Sequence, residues 1–284
     1  MGKFIISGFA DEIAPELDKQ MTVLKKLGIG FAELRGIDGK NVSDYTAEEM
    51  KTVKKRLDKG GIRVSSIGSP IGKIGIDDDF DVHMKKLENT IELAKILETE
   101  NIRVFSFYIP NGETTEKYRD DVLRRMEKMT AAAKRAGVRL LHENEKGIYG
   151  DTAKRCADIL ESVGSDSLAA VFDPANFVQC GQKTYPDAYE MLKPYIIYMH
   201  IKDAKSDGSV VPAGSGCGEV EKIISALDAA GYEGFLSLEP HLADFAGFAE
   251  LEKDGSLDKL PEGGEKTFTI AYNALKKILD NIKQ

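Results

Sequence analysis

The stretch VRLLHENEKG, Val138–Gly147, lies between two segments of helical periodicity. Before it, Val122, Met126, Met129 and Ala133 recur at spacings of three and four and stop at Gly137. After it, Cys156, Ile159 and Val163 resume the same spacing. A short apolar run entered through a glycine suited to a left-handed helix cap, with a helix on either side, is one unit of a parallel sheet. Parallel neighbours need such a crossover to return to the same edge. The run ends on His142, Glu143, Asn144 and Glu145, which is either a solvated tip or a set of side chains aimed at something.

The same unit recurs along the chain. KFIISG, IGFAELRG, IRVSSIGSP, IRVFSFYIP, VRLLHEN, LAAVFDPAN, YIIYMHIKD and GFLSLEPH each precede a segment with apolar residues three and four apart. Thr46 with Glu49 opens the second helix as a capping box, and Met50, Val53 and Leu57 form its apolar face. Helices end at Gly28, Gly60-Gly61, Gly137 and Gly231. Eight strand-helix units predict a closed (β/α)8 TIM barrel of the α/β class rather than an open sheet. FIISGFADEI lacks the glycine fingerprint of a dinucleotide-binding turn. The expected domain is a single barrel over residues 1–284. A loop at 244–264, carrying Phe245 and Phe248, separates strand eight from helix eight. Loops of that length are usually functional, and a lid or a dimer contact are the alternatives.

Barrel active sites lie at the carboxyl ends of the strands. Those ends carry Asp11 and Glu12, Glu33 and Arg35, Ser66 and Ser69, Ser106 and Tyr108, then Glu143, Asp173, His200 and Glu239. The last four are three carboxylates and an imidazole, each at the same depth of its own strand and about thirty to forty residues apart. Uncompensated charge at the end of a buried strand costs several kcal/mol, roughly, so a cation is expected among them. One divalent metal ion held by Glu143, Asp173, His200 and Glu239 follows. Oxygen-rich ligation puts Mn²⁺ first, with Mg²⁺, Co²⁺ and Zn²⁺ as alternatives. Strand alternation alone leaves open whether His142 or Glu143 faces inward, and the depth of the other three favours Glu143.

The chain has 284 residues and a formal charge of -8, with both signs interspersed and no basic block, which argues against a nucleic-acid partner. Three widely spaced cysteines, Cys156, Cys180 and Cys217, imply neither a disulfide framework nor a structural zinc. No apolar run reaches the roughly 20 residues of a membrane span, and the amino-terminal run is too short for a signal segment. A cytoplasmic protein with no membrane partner is expected, with a homo-oligomer an open alternative.

The motifs LLHENE, VFDPANF, YMHIKDA, VPAGSGCGEV and FLSLEPH resemble the xylose isomerase-like TIM-barrel superfamily, in particular its sugar isomerases and ketose 3-epimerases. The resemblance covers essentially the full length. It implies that Glu143 and Glu239 are catalytic as well as metal-binding, and that Asp173 and His200 complete the metal set. Two positions depart from the epimerase pattern. Asn176 stands where a histidine is usual after the strand-six aspartate, and Lys202 and Lys205 follow His200 where an arginine is usual. Both departures fall in the substrate-recognition half. Four histidines, His83, His142, His200 and His241, are too few for the multi-metal endonucleases of the same superfamily.

The expected activity is a divalent-metal-dependent sugar isomerase or epimerase that abstracts a proton next to a carbonyl through an enediolate. A lyase or dehydratase on an oxidised sugar or cyclitol, and a non-catalytic sugar-binding barrel, are the competing readings. Arg35, Asn176 and Lys202 are candidate substrate contacts, the first equally able to pair with Glu33 and the last with a carboxylate. AGSGCG, Ala213–Gly218, is either a phosphate cradle or, the favoured reading, a turn into helix seven. His83, after DDDFD, is expected to be solvated. His241 is expected as pocket wall or as a partner of the ligands.

Overall fold

The structure, a computed structural model, describes residues 2–242 and 263–282. The loop expected at 244–264, with Phe245 and Phe248, lies outside the described residues except for Gly263 and Gly264. Eight parallel strands form the wall: β1 (Lys3–Gly8), β2 (Phe31–Leu34), β3 (Arg63–Ile67), β4 (Asn101–Val104), β5 (Arg139–Glu143), β6 (Leu168–Phe172), β7 (Ile196–Ile201) and β8 (Glu233–Leu238). They are hydrogen-bonded in the order β1-β8-β7-β6-β5-β4-β3-β2. A parallel bridge between Phe9 and Glu33 joins the ends of β1 and β2 and nearly closes the ring.

The crossovers are α1 (Leu17–Lys26), α2 (Ala47–Gly60), α3 (Phe80–Leu97), α4 (Arg119–Ala136), α5 (Ala153–Val163), α6 (Pro174–Gln179), α7 (Tyr189–Leu192), α8 (Val220–Ala229) and α9 (Glu265–Ile282). The capping box is present at α2, where the Thr46 hydroxyl accepts from the Glu49 N–H and the Glu49 carboxylate accepts from the Thr46 N–H. Gly61 and Gly137 end α2 and α4 at φ 70° and 73°, where a side chain would be strained. The main core lies between the strands and the helices. Met50, Val53 and Leu57 of α2 and Met126, Met129 and Ala133 of α4 are buried in it, as their spacing predicts. Truncating a fully buried leucine such as Leu57 to alanine removes about 2–5 kcal/mol. Inside the ring a separate cluster of Leu141, Ala169, Val171 and Tyr198 fills the lower barrel.

That interior plug positions the site. Alternation along a strand sets every second side chain inward, so Leu141 beneath Glu143, Val171 beneath Asp173, and Tyr198 beneath His200 act as spacers that lift the polar groups to the carboxyl end. Among the described residues no helix is long and apolar enough to cross a membrane.

His83 corrects the sequence reading. It is 6% exposed rather than solvated, and its Nε2 accepts the Gly72 N–H at 2.7 Å. The acidic run before it is a helix entrance, with Asp79 capping the N–H groups of Asp81 and Val82, and His83 lies one turn before Leu87 on the buried face.

Candidate active site

Glu143 ends β5, Asp173 follows β6, His200 lies within β7 and Glu239 follows β8. All four are at most 2% exposed. Each offers one donor atom, and the four atoms lie within 4.8 Å of one another. His200 Nδ1 is the hub, 3.0 Å from Glu143 Oε1, 3.4 Å from Glu239 Oε2 and 3.9 Å from Asp173 Oδ2. Its other nitrogen, Nε2, faces Glu33 Oε2 at 3.3 Å. That oxygen accepts from the Ser237 hydroxyl at 2.6 Å and the Tyr198 hydroxyl at 2.9 Å, so it is itself fixed. Nδ1 is thus the nitrogen that faces the carboxylates of the cluster, while Nε2 lies toward Glu33 and makes no hydrogen bond among the described residues.

Asp173 divides its two oxygens. Oδ1 caps α6 by accepting the Asn176 N–H at 2.9 Å. Among the described residues Oδ2 accepts no hydrogen bond, and its nearest cation is Lys202 Nζ at 3.0 Å. The Lys202 ammonium thus compensates this buried oxygen, and a divalent ion would share it with or take it from the lysine. Burial pushes the Asp173 carboxyl up, and Glu239 and Glu143 add to the rise against the pull of Lys202. The donor set fits a divalent ion. Metal–ligand bonds of about 2.0–2.2 Å place opposite donors about 4.4 Å apart, close to the spread of these four atoms.

Three further cations surround the cluster. Lys202 Nζ stands 3.0 Å from both Asp173 Oδ2 and Glu239 Oε2. Burial opposes its charge, but the Asp173 and Glu239 carboxylates raise it well above the usual lysine value. Arg103 Nη1 is 3.1 Å from Glu143 Oε2 and 3.5 Å from Glu239 Oε1. Arg35 bonds Asp11 through Nε at 2.7 Å, and reaches Glu12 and Glu239, each at 3.3 Å. Among the described residues Arg35 thus pairs with the strand-one acids and Glu239, and lies 3.5 Å from His241 Nε2, rather than pairing with Glu33. Burial opposes ionisation of Glu143 and Glu239, yet both lie below the ordinary carboxylate range. His200 and Arg103 hold Glu143 there, and Lys202, His241 and His200 hold Glu239 there. His200 is raised well above its usual value by Glu143, Glu33 and Glu239 despite its burial. Glu12 is pushed up to about 8, chiefly by burial.

Asn176 donates from Nδ2 to Glu143 Oε1 at 3.2 Å and to the Asn144 carbonyl at 2.9 Å. His241 Nε2 lies 3.5 Å from Glu239 Oε1, which makes it a partner of that glutamate. His142 is buried against Gly150, on the helix side of β5, so Glu143 is the inward residue. Glu145 pairs with Lys73 at 3.0 Å and lines a cavity of about 630 Å³ formed by the loops after β3, β4 and β5. The glycine-rich segment 213–218 already cradles an anion of its own chain. The N–H groups of Gly214, Gly216 and Gly218 donate to the Asp203 carboxylate at 3.0, 2.9 and 2.8 Å.

Sequence reading missed Arg103. It lies mid-strand between Ile102 and Val104, and only its register opposite Leu141 shows that it points inward, one layer below Glu143. A charge inside an apolar strand was the available signal.

No curated protein matches the chain in sequence. Among solved structures, an L-ribulose 3-epimerase superposes with a TM-score of 0.78 at 20% identity, over 100% of this chain and 96% of that one. The IOLI protein, solved with a bound zinc atom, gives 0.74 at 14% identity over 98% and 99%. A probable 3-DHS dehydratase from Bacillus anthracis gives 0.72 at 16% identity over 97% and 99%. A family model described as xylose isomerase-like TIM barrel matches residues 21–258. With the nearly closed eight-stranded barrel and a match over most of its length, the chain belongs to the xylose isomerase-like TIM barrel family.

Proposed function

We propose that the chain is a divalent-metal-dependent sugar isomerase or epimerase that works by proton transfer next to a carbonyl. The observation that carries this reading is the pair Glu143 and Glu239, two buried carboxylates from strands separated by two others, both within 3.4 Å of His200 Nδ1. Glu143, Asp173, His200 and Glu239 would hold the ion, for which Mn²⁺ is the first choice. When bound, it supplies Lewis-acid polarisation of a substrate carbonyl. One glutamate takes the carbon-bound proton, and the other, protonated from solvent, delivers a proton to the opposite face of the same carbon for epimerisation or to the neighbouring carbon for isomerisation. Lys202, which donates to Glu239, and Asn176, which donates to Glu143, are the proposed contacts for substrate oxygens. Arg35, tied to Asp11 and Glu12, acts on substrate through Glu239. The barrel is proposed to act as one domain over residues 1–284, on a small sugar and within the cytoplasm. The structural similarity to an L-ribulose 3-epimerase supports the reading.

A second reading, loss of water from an oxidised sugar or cyclitol, is favoured by the Lys202 ammonium, a proton donor beside the proposed bases. It is supported by the similarity to a probable dehydratase. Incubation with ketoses and keto-sugars in deuterated water with Mn²⁺, followed by NMR, separates the two. Deuterium in the recovered sugar is expected. Loss of water would favour the dehydratase, and unchanged sugar across the panel would end the isomerase reading. Glu143→Gln and Glu239→Gln should each keep the fold and lose about 10²- to 10⁴-fold in turnover. Near wild-type turnover in both would remove the glutamates from the mechanism.

A further inference from the structure

Glu143 and Glu239 each turn one oxygen toward the cluster and one away from it. Glu143 Oε1 and Glu239 Oε2 are the oxygens beside His200 Nδ1, at 3.0 and 3.4 Å. The other two meet Arg103, whose Nη1 donates to Glu143 Oε2 at 3.1 Å and, beside Arg35 Nη1 at 3.3 Å, to Glu239 Oε1 at 3.5 Å. A single guanidinium nitrogen therefore spans both glutamates, although β6 and β7 stand between their strands.

Arg103 is held from its own other sides. Nη2 donates to the Gly68 carbonyl at 3.2 Å. The guanidinium carbon sits 4.9 Å from the ring centres of both Phe9 and Phe105, within cation–π range of each. The residue is 2% exposed, so bulk water does not compete for its donors. A carboxylate turns easily about its last bond. The partner gripping one oxygen decides where the other one points, and a planar fork held between two rings fixes that direction better than a flexible ammonium would.

We propose that Arg103 is a positioning residue that clamps both glutamates, so that Glu143 Oε1 and Glu239 Oε2 face the cation site together. This rests on reading the four-residue cluster as a divalent-cation site.

The test is titration of the metal-free protein with Co²⁺, following its visible absorption bands, in wild type, Arg103→Met and Arg103→Lys. Wild type is expected to bind one ion. Arg103→Met, with an unchanged far-ultraviolet circular dichroism spectrum, should bind about 10- to 100-fold more weakly and with altered bands, because the donor oxygens are no longer aligned. Arg103→Lys should recover part of the affinity while its bands still differ from wild type. If two buried carboxylates without a guanidinium prevent Arg103→Met from folding, Arg103→Lys carries the test alone, since it keeps the charge and loses the fork. Wild-type affinity and bands in a folded variant overturn this proposal and leave the cation site intact. A wild-type protein that takes up no Co²⁺ overturns the cation-site reading and this proposal with it.

Discussion

Lys202 competes for the oxygens a metal ion would use. Its ammonium is 3.0 Å from Asp173 Oδ2 and from Glu239 Oε2, the oxygens of those residues nearest His200 Nδ1. Removing one member of a buried ion pair typically costs about 3–5 kcal/mol, because the remaining charge is stranded. Lys202→Gln should therefore lose about 3 kcal/mol of unfolding free energy in chelator, and Mn²⁺ should restore more stability to it than it adds to wild type. Urea unfolding with and without Mn²⁺ measures both. An equal loss under the two conditions would mean that the ammonium and the ion do not share those oxygens. The same residues show what was legible in the chain. Glu143, Asp173, His200 and Glu239 stood out because charge at the end of an apolar strand is anomalous, and Lys202 followed by having the parity of His200. Arg103 has no such position, and its inward direction depends on pairing between β4 and β5 that a single sequence does not display.

The loop from β3 to α3 shows what governs a whole element. Residues 71–74 run beside the end of β4. The Phe105 N–H donates to the Ile71 carbonyl at 2.8 Å, and the Phe107 N–H to the Gly72 carbonyl at 3.0 Å. Gly72 has φ 91°, and a Cβ there would lie 2.0 Å from the Phe105 carbonyl oxygen, so no other residue fits. His83 of α3 locks this loop by accepting the Gly72 N–H, which it can do only while neutral. Burial pushes its pKa down to about 4, helped by Lys86 and Arg125 against the opposing charge of Asp78. The native pKa thus lies below the unfolded value near 6.5. The unfolded chain binds the proton first as pH falls. The stability is complete above about pH 6.5 and is lost on the way down to about pH 4, by up to about 3 kcal/mol. His83→Gln, whose amide oxygen can accept the same N–H, should lose about 2 kcal/mol less than wild type between pH 7 and pH 4.5 in urea unfolding. An equal loss in both proteins would clear His83. His83 lies one turn before Leu87 on the buried face of α3, a periodicity that the acidic run ahead of it masks in the sequence. In AGSGCG, read chiefly as a turn into the next helix, the N–H groups of Gly214, Gly216 and Gly218 are taken by Asp203, 11 to 15 residues upstream, a pairing the glycines alone do not display.

At the scale of the molecule, counting strand-helix units sufficed for the fold, because each unit buries its apolar face only against its neighbours and eight of them close a ring. Closure also determines how the site couples to stability. Its four donors come from β5, β6, β7 and β8, far apart in sequence, so the unfolded chain cannot present them together. An ion bound there acts on global unfolding rather than on one loop. At a free concentration 100 times its dissociation constant it should add about 2.7 kcal/mol, or about 5 °C in melting temperature for a chain of this size. Circular dichroism in the far and near ultraviolet should move together, since the ion ties four strands of one sheet. The shift should vanish in Glu143→Gln/Glu239→Gln, which keeps the barrel and loses two anionic donors. A wild-type protein whose melting temperature ignores saturating Mn²⁺, Mg²⁺, Co²⁺ and Zn²⁺ in turn would show that Arg35, Arg103 and Lys202 already satisfy the carboxylates, and that the barrel's chemistry proceeds without an ion at this position.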